Sequence, residues 1–275
     1  MSDPLPPDLA QAFGRSSDRR GGFGDRVHYF LETRSTNDVA ASLAERGAPQ
    51  GTVVLASSQT AGRGRLGRSW YSPPAAGLYV SVICRSPTAA PYLTLAGGVA
   101  VAEGVTSATG LPVEIKWPND VVVPSNRARL GASSVPLGRK LAGVLAEGAS
   151  TAGGIQYVIL GFGINLRPAA YPIELSDRAT SIASELGREV EAGPILVETL
   201  VALARHIGHL ERGDRTELLA RWRTFAPSVV GSSIECETAS GRVAGTSAGI
   251  ADDGALLVRV GNRIQRIISG EITWR

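Results

Sequence analysis

The spacing of apolar and polar positions changes period several times along the chain, and each change marks an element. Val27–Leu31, Thr52–Ala56 and Gly77–Cys84 are short β-branched or alternating runs that predict strands. Between the first two, Ser35-Thr36-Asn37-Asp38 opens a short helix over Val39–Arg46, with Gly47 as its stop; Ser35 and Thr36 are preferred N-caps, and Asp38 stands three on from Ser35. Residues 91–109, apolar and rich in alanine and glycine, predict a buried helix lying close on a sheet. Val113–Trp117 reads as a strand that enters a Pro118-Asn119-Asp120 turn and continues in Val121–Val123. Arg139–Glu147 and Gln156–Ile164 predict a hairpin joined through Gly148–Gly154, and helices are expected over Ala179–Leu186, Ile195–Leu210 and Thr216–Phe225. After Pro227 the pattern becomes four short strands punctuated by Gly231, Gly241, Gly254 and Gly261, which predicts a small antiparallel barrel or sandwich. The expected organisation is a disordered leader over 1–24, rich in proline and glycine, a mixed α/β (α+β) domain over 25–229 and a small β-domain over 230–275.

Composition narrows the class. At 275 residues with 43% hydrophobic content the chain is long enough for one large domain and a small one. No apolar run is long enough to span a bilayer and no signal peptide follows Met1, so a cytoplasmic protein without membrane partners is expected. Cys84 and Cys236 are too few and too far apart for a disulfide framework or a metal pair. His206 and His209, at helical i, i+3 spacing, lack a third ligand nearby and are expected on a surface or in packing; no metal site is expected. The net charge of +3 is too small to argue nucleic-acid binding. The distribution of cations says more: of 28 basic residues only Lys116 and Lys140 are lysine, which suggests sites where a compact ammonium is needed in place of a guanidinium fork.

Candidate chemistry gathers in the run from Gln59 to Trp70, where Gly62, Gly64 and Gly67 alternate with Arg63, Arg65 and Arg68. Glycine lets a backbone approach a ligand closely, and arginine supplies planar donors for phosphate or carboxylate oxygens. The letters also satisfy a dinucleotide-binding fingerprint, but Pro73 and Pro74 leave no room for the helix whose N-terminus would hold a pyrophosphate. The sequence contains no nucleophile elbow and no Walker A motif. Cations in glycine-rich and turn segments suit a reaction whose obstacle is negative charge, such as attack of a carboxylate on an ATP α-phosphate.

These motifs resemble the biotin protein ligases. The resemblance rests on Ser35-Thr36-Asn37, the Gln59–Trp70 run, Lys116-Trp117-Pro118-Asn119-Asp120, Arg139-Lys140-Leu141-Ala142-Gly143, Gly161-Phe162-Gly163-Ile164-Asn165 and Gly270-Glu271-Ile272-Thr273, in the family's order from about Val27 to the C-terminus. It implies a mixed-sheet catalytic domain related to class II aminoacyl-tRNA synthetases and an SH3-like C-terminal barrel. It further implies that biotin and MgATP give biotinyl-5′-AMP, whose biotinyl group passes to one lysine of the carrier domain of an acyl-CoA or pyruvate carboxylase. By motif match Ser35, Thr36, Asn37 and Gln59 would meet the ureido end of biotin. Arg63, Gly64 and Arg65, on the Gly62 and Arg68 loop, would cover its carboxylate and the α-phosphate. Lys140 would hold charge through both half-reactions, beside the glycines Gly143, Gly161 and Gly163. Trp70 would stack near adenine, Asn119 and Asn165 would contact the nucleotide, and Lys116 and Asp120 would stand nearby. Asp120 is a candidate to deprotonate or orient the acceptor amine, which carries a pKa near ~10.4 when free.

The sequence departs from the family's pattern in three places. Leu66 stands where many members carry arginine, the Ser125–Gly138 loop is longer than usual, and the DNA-binding domain of the bifunctional members has no counterpart in the leader, so nucleic acid is not an expected partner. The alternatives are a lipoate–protein ligase, which shares the fold and acyl-adenylate chemistry, a non-catalytic biotin- or nucleotide-binding module, and an arginine-based nucleic-acid regulator. Oligomeric state, monomer or weak dimer, depends on edge strands that sequence does not display.

Overall fold

The computed structural model describes residues 2–124, 138–169, 171–238 and 241–274. Seven strands form a mixed sheet: β1 (Val27–Thr33), β2 (Val53–Gln59), β3 (Gly77–Cys84), β4 (Glu114–Lys116), β5 (Asp120–Val123), β6 (Arg139–Thr151) and β7 (Gly154–Asn165). Their spatial order is β1-β2-β3-β7-β6-β5-β4, with β1 and β2 parallel and every other pair antiparallel.

Side-chain alternation divides the sheet's two faces. Leu78, Val80, Val82, Ala142, Val144, Leu160, Phe162 and Ile164 point to one face and are all buried beneath α3 (Leu93–Thr109). Behind α3 lies α6 (Ala192–Glu211), and the two approach so closely that a Cβ on Gly104 would overlap Thr199 Oγ1. On the opposite face Val54, Ile83 and Ile159 are covered by Ala40 and Ala44 of α2 (Thr36–Glu45). That helix is short, so the β5–β6–β7 part of this face is left open.

Residues 2–24 are not the disordered leader expected from their composition. Pro7–Gly14 form α1, whose Leu9 and Phe13 are buried, and Phe23 joins the same core. Arg20 is only 3% exposed: its guanidinium donates to the carbonyls of Phe13 and Phe23 and to Ser16 Oγ, and lies over the Phe13 ring. Three large apolar side chains and one buried, hydrogen-bonded guanidinium outweigh a proline- and glycine-rich composition.

Other bounds differ as well: the helix expected from Val39 starts at Thr36, the strand expected over Thr52–Ala56 runs to Gln59, and a fifth C-terminal strand, Glu271–Trp274, joins the four expected. The β6–β7 hairpin extends to Thr151 and Gly154 around a tight turn. The helix expected from Ala179 begins at Ile182 as α5 (Ile182–Leu186), after a one-turn α4 (Ile173–Ser176). The next helix, α6, starts before Pro194, which sits in its first turn, where proline removes no helical hydrogen bond. The last helix, α7 (Thr216–Phe225), has the expected bounds, whereas the Ser125–Gly138 loop lies outside the described residues up to Leu137.

The C-terminal strands β8 (Ser233–Thr238), β9 (Gly241–Ile250), β10 (Leu256–Val260), β11 (Arg263–Ile267) and β12 (Glu271–Trp274) form an antiparallel sheet in the order β11-β10-β9-β8-β12. It docks beside the first sheet through the Trp117 indole, which donates to the Gly254 carbonyl at 2.9 Å.

Candidate active site

Strand register assembles the site. Lys116 pairs with Asp120, Asp120 with Gly143, Gly143 with Gly163, and Gly163 with Tyr79, so these residues form one row across β4, β5, β6, β7 and β3. Directly paired residues share a face, and this is the face that α2 leaves open. The glycines in the row make a flat floor. The Trp70 indole lies on it: a Cβ at Gly163 would overlap the indole, and one at Gly143 would come 2.9 Å from its Cζ3.

Lys140 reaches this floor through an irregularity in β6. Val121 pairs with Ala142 but Val122 pairs with Lys140, so Leu141 is an extra residue opposite β5. Leu141 and Ala142 both enter the core, fully buried, and Lys140 turns to the open face. Its Nζ lies 2.7 Å from Asp120 Oδ1 and 5.1 Å from the centroid of the Trp70 ring.

The glycine–arginine run forms a small hairpin over the floor. Gly64 N–H donates to the Arg68 carbonyl and Trp70 N–H to the Gly62 carbonyl, with Leu66 exposed at the tip in the left-handed region (φ 56°). A strand, β3, follows it, which removes the dinucleotide-fingerprint reading. Arg65 Nη1 donates to Asn119 Oδ1 at 3.4 Å, and Asn119 ties its turn to β6 through both the Val144 carbonyl and the Val144 N–H. Arg63 donates to Asp38 at 2.7 Å and to Glu147 at 3.0 Å.

At the other end the start of α2 forms a polar head. Ser35 occupies the N-cap position, but its hydroxyl makes no capping bond; Gln59 Oε1, from β2, instead accepts the Thr36 N–H at 2.8 Å and the Thr36 hydroxyl at 3.1 Å. Gln59 Nε2 donates to Ser72 Oγ, and Asn37 packs against Gly161, where a Cβ would overlap its amide oxygen. Asn165, at the end of β7, donates to the Thr180 carbonyl.

A cleft of about 1350 Å³ brings these groups together. Every candidate read from the sequence lines it except Gly62, which lies under the hairpin where a Cβ would press on the Trp70 carbonyl and Ser72. Gly270, Ile272, Thr273 and Trp274 of the C-terminal sheet complete the wall. The sequence reading missed Asp38 as a partner of Arg63, and it missed Ser81 and Glu147, which stand in register with the floor and bond to Asn37.

The electrostatics favour an anion. Burial pushes the Lys116 ammonium below its ordinary pKa; Asp120 opposes that, and Arg178 and Lys140 add to it. Burial likewise lowers Arg65, with Asp120 opposing and Arg68 adding. Asp120 thus serves Lys140, Lys116 and Arg65 together, and a second negative group in the cleft would relieve all three. The Trp70 indole N–H is buried and has no protein acceptor among the described residues, so the floor also offers an unsatisfied donor.

Comparison with known proteins agrees with this arrangement. Residues 29–165 match the Biotin/lipoate A/B protein ligase family, and residues 230–274 match the Biotin protein ligase C terminal domain. A "Biotin--[acetyl-CoA-carboxylase] ligase" of Mycobacterium tuberculosis is 33% identical over 98% of this chain and 97% of the relative. The "Bifunctional ligase/repressor BirA" of Bacillus subtilis is 32% identical over 90% of this chain and 74% of its own length. Among solved structures, the biotin protein ligase from Aquifex aeolicus in complex with biotin and ATP superposes with a TM-score of 0.75 at 27% identity, covering 91% of this chain and 99% of that one. With glycine floor, arginine hairpin and both matched segments in place, the chain belongs to the biotin protein ligase family.

Proposed function

We propose that the protein activates biotin with MgATP and transfers it to a lysine of a biotin carboxyl carrier domain. The observation that carries this reading is the carboxylate of Asp120 set among Lys116, Lys140 and Arg65 on a glycine floor. In the first half-reaction a biotin carboxylate oxygen attacks the α-phosphorus of ATP and pyrophosphate leaves. The carboxylate is already ionised at neutral pH, with a reference pKa near ~4, so no base is required. The difficulty is bringing two anions together, and the cations around the floor lower that cost. Lys140 exchanges Asp120 for carboxyl and phosphate oxygens, while Arg63 and Arg65 close over them. Magnesium enters with the nucleotide as part of the substrate.

In the second half-reaction the carrier amine attacks the acyl carbon of biotinyl-5′-AMP and AMP leaves. Asp120, released from Lys140, takes or orients the amine proton. Ser35, Thr36, Asn37 and Gln59 hold the ureido end; Asn119 and Asn165 hold the nucleotide, with Trp70 against adenine. Gly62 shapes the hairpin from beneath, and Gly143, Gly161 and Gly163 admit the ligand to the sheet. Residues 25–229 carry both steps, and 230–275 complete the cleft wall and face the incoming carrier. A closed hairpin protects the mixed anhydride from water. Among the described residues no helix is long and apolar enough to cross a membrane. The test is transfer of labelled biotin to a carrier domain: label should appear on the carrier only with ATP, and ATP-independent labelling or none would reject the reading.

A further inference from the structure

We infer that Glu147, which stands outside the cleft wall, is a positioning residue: it fixes the orientation of the Asn37 amide and so makes the head of the cleft select a hydrogen-bond acceptor. The inference rests on the biotin reading of that site and deepens it. An ionised carboxylate accepts hydrogen bonds and never donates them. Glu147 Oε2 lies 2.5 Å from Asn37 Nδ2, so the amide nitrogen must face Glu147 and the amide oxygen must face away. The oxygen then meets Ser81 Oγ, also at 2.5 Å, and the Ser81 hydroxyl donates to it. Both groups of the amide are thereby assigned: the oxygen is occupied, one N–H belongs to Glu147, and the second N–H is what Asn37 keeps for a ligand. With Asn37 only 6% exposed, water is a poor substitute for these partners.

The neighbouring amide is fixed by the same logic. The main-chain N–H of Thr36 can only donate, so Gln59 turns Oε1 to it and Nε2 to Ser72. Glu147 performs for Asn37 the office that the backbone performs for Gln59. Register explains its reach: Gly143, Leu145 and Glu147 alternate on one face of β6, so Glu147 shares the face of the glycine floor beyond the cleft's end. The same Oε2 also accepts from Arg63, which links the hairpin to the head.

A glutamine at 147 would present either an oxygen or an N–H to Asn37, and the amide would lose its fixed sense. Titration calorimetry of biotin against wild type, Glu147→Gln, Asn37→Ala and the double variant tests this, with thermal melting and the KM for ATP as controls. Glu147→Gln should weaken biotin about tenfold with the melting temperature and ATP KM unchanged, and in the Asn37→Ala background it should add less than about twofold. An unchanged biotin affinity in Glu147→Gln overturns the inference. So does an equal loss in the Asn37→Ala background, which would route the effect through Arg63 or the fold. Failure of the wild type to bind biotin would instead remove the proposed function along with it.

Discussion

On the side of the sheet away from the cleft, Glu103 of α3 holds the helical layer together through charge. Its side chain is 11% exposed; Oε1 accepts from Arg221 Nε at 2.6 Å, and Oε2 accepts from Arg205 at 2.6 Å and faces His206 Nε2 at 3.1 Å. Burial by itself would raise its pKa. The hydrogen bonds from His206 and Arg221, with the charges of His206 and Arg205, outweigh burial and bring the carboxyl from its ordinary 4.5 to about 2. One pKa unit corresponds to about 1.4 kcal/mol, so this carboxylate contributes on the order of 3 kcal/mol to the folded state. The folded pKa is depressed, so the contribution is complete above the ordinary carboxylate range and disappears as pH falls from about 4.5 towards about 2. Glu103→Gln should therefore be less stable than wild type by about 3 kcal/mol in urea unfolding at pH 7, and the gap should narrow as both are titrated through that window. A gap that stays constant from pH 7 to pH 3 would refute the reasoning, because it would show that the carboxyl's ionisation does not differ between folded and unfolded chains.

Three predictions concern the cleft. Lys140→Ala should reduce pyrophosphate release in the first half-reaction by roughly 10²–10³-fold while the melting temperature is retained, since the ammonium would stabilise charge and its side chain is 35% exposed; a near-normal release rate would remove Lys140 from the reaction. Asp120→Asn should slow transfer from preformed biotinyl-5′-AMP to the carrier by about a hundredfold or more, measured by label on the carrier; full transfer would end its assignment to the amine. Gly161→Ala places a methyl group against the Asn37 amide, which should weaken biotin in calorimetry and cost about 1–3 kcal/mol of stability; unchanged values for both would show that the head of the cleft relaxes freely.

Much of this architecture was legible in the chain. Alternating runs became strands, and the alanine- and glycine-rich helix over residues 91–109 is largely buried between Leu93 and Val105 because small side chains let it lie against both β6 and α6. The two lysines, read as sites of a compact cation, stand on β4 and β6 either side of β5, both beside Asp120. Contacts set by register were hidden, because pairing distant strands is a property of the whole sheet. Glu147 and Ser81 belong to this class: nothing in their local sequence distinguishes them from ordinary strand residues. Ser35 misled in the opposite way, because its capping pattern was satisfied by Gln59 from another strand. The N-terminal segment misled through composition, since Leu9, Phe13 and Phe23 are few but each is buried.

The irregularity at Leu141 has a wider consequence for how this enzyme can vary. Because two adjacent side chains of β6 descend together, the position of the ammonium depends on a count of backbone residues, and no choice of side chain can replace it. A lysine transplanted to Leu141 would be driven into the hydrocarbon interior, whereas deleting that leucine would restore plain alternation and leave Lys140, still opposite Val122, on the open face. Substitution can thus tune the lining of the cleft, whereas inserting one residue between Lys140 and Leu141 would exchange cleft and core positions at a single stroke.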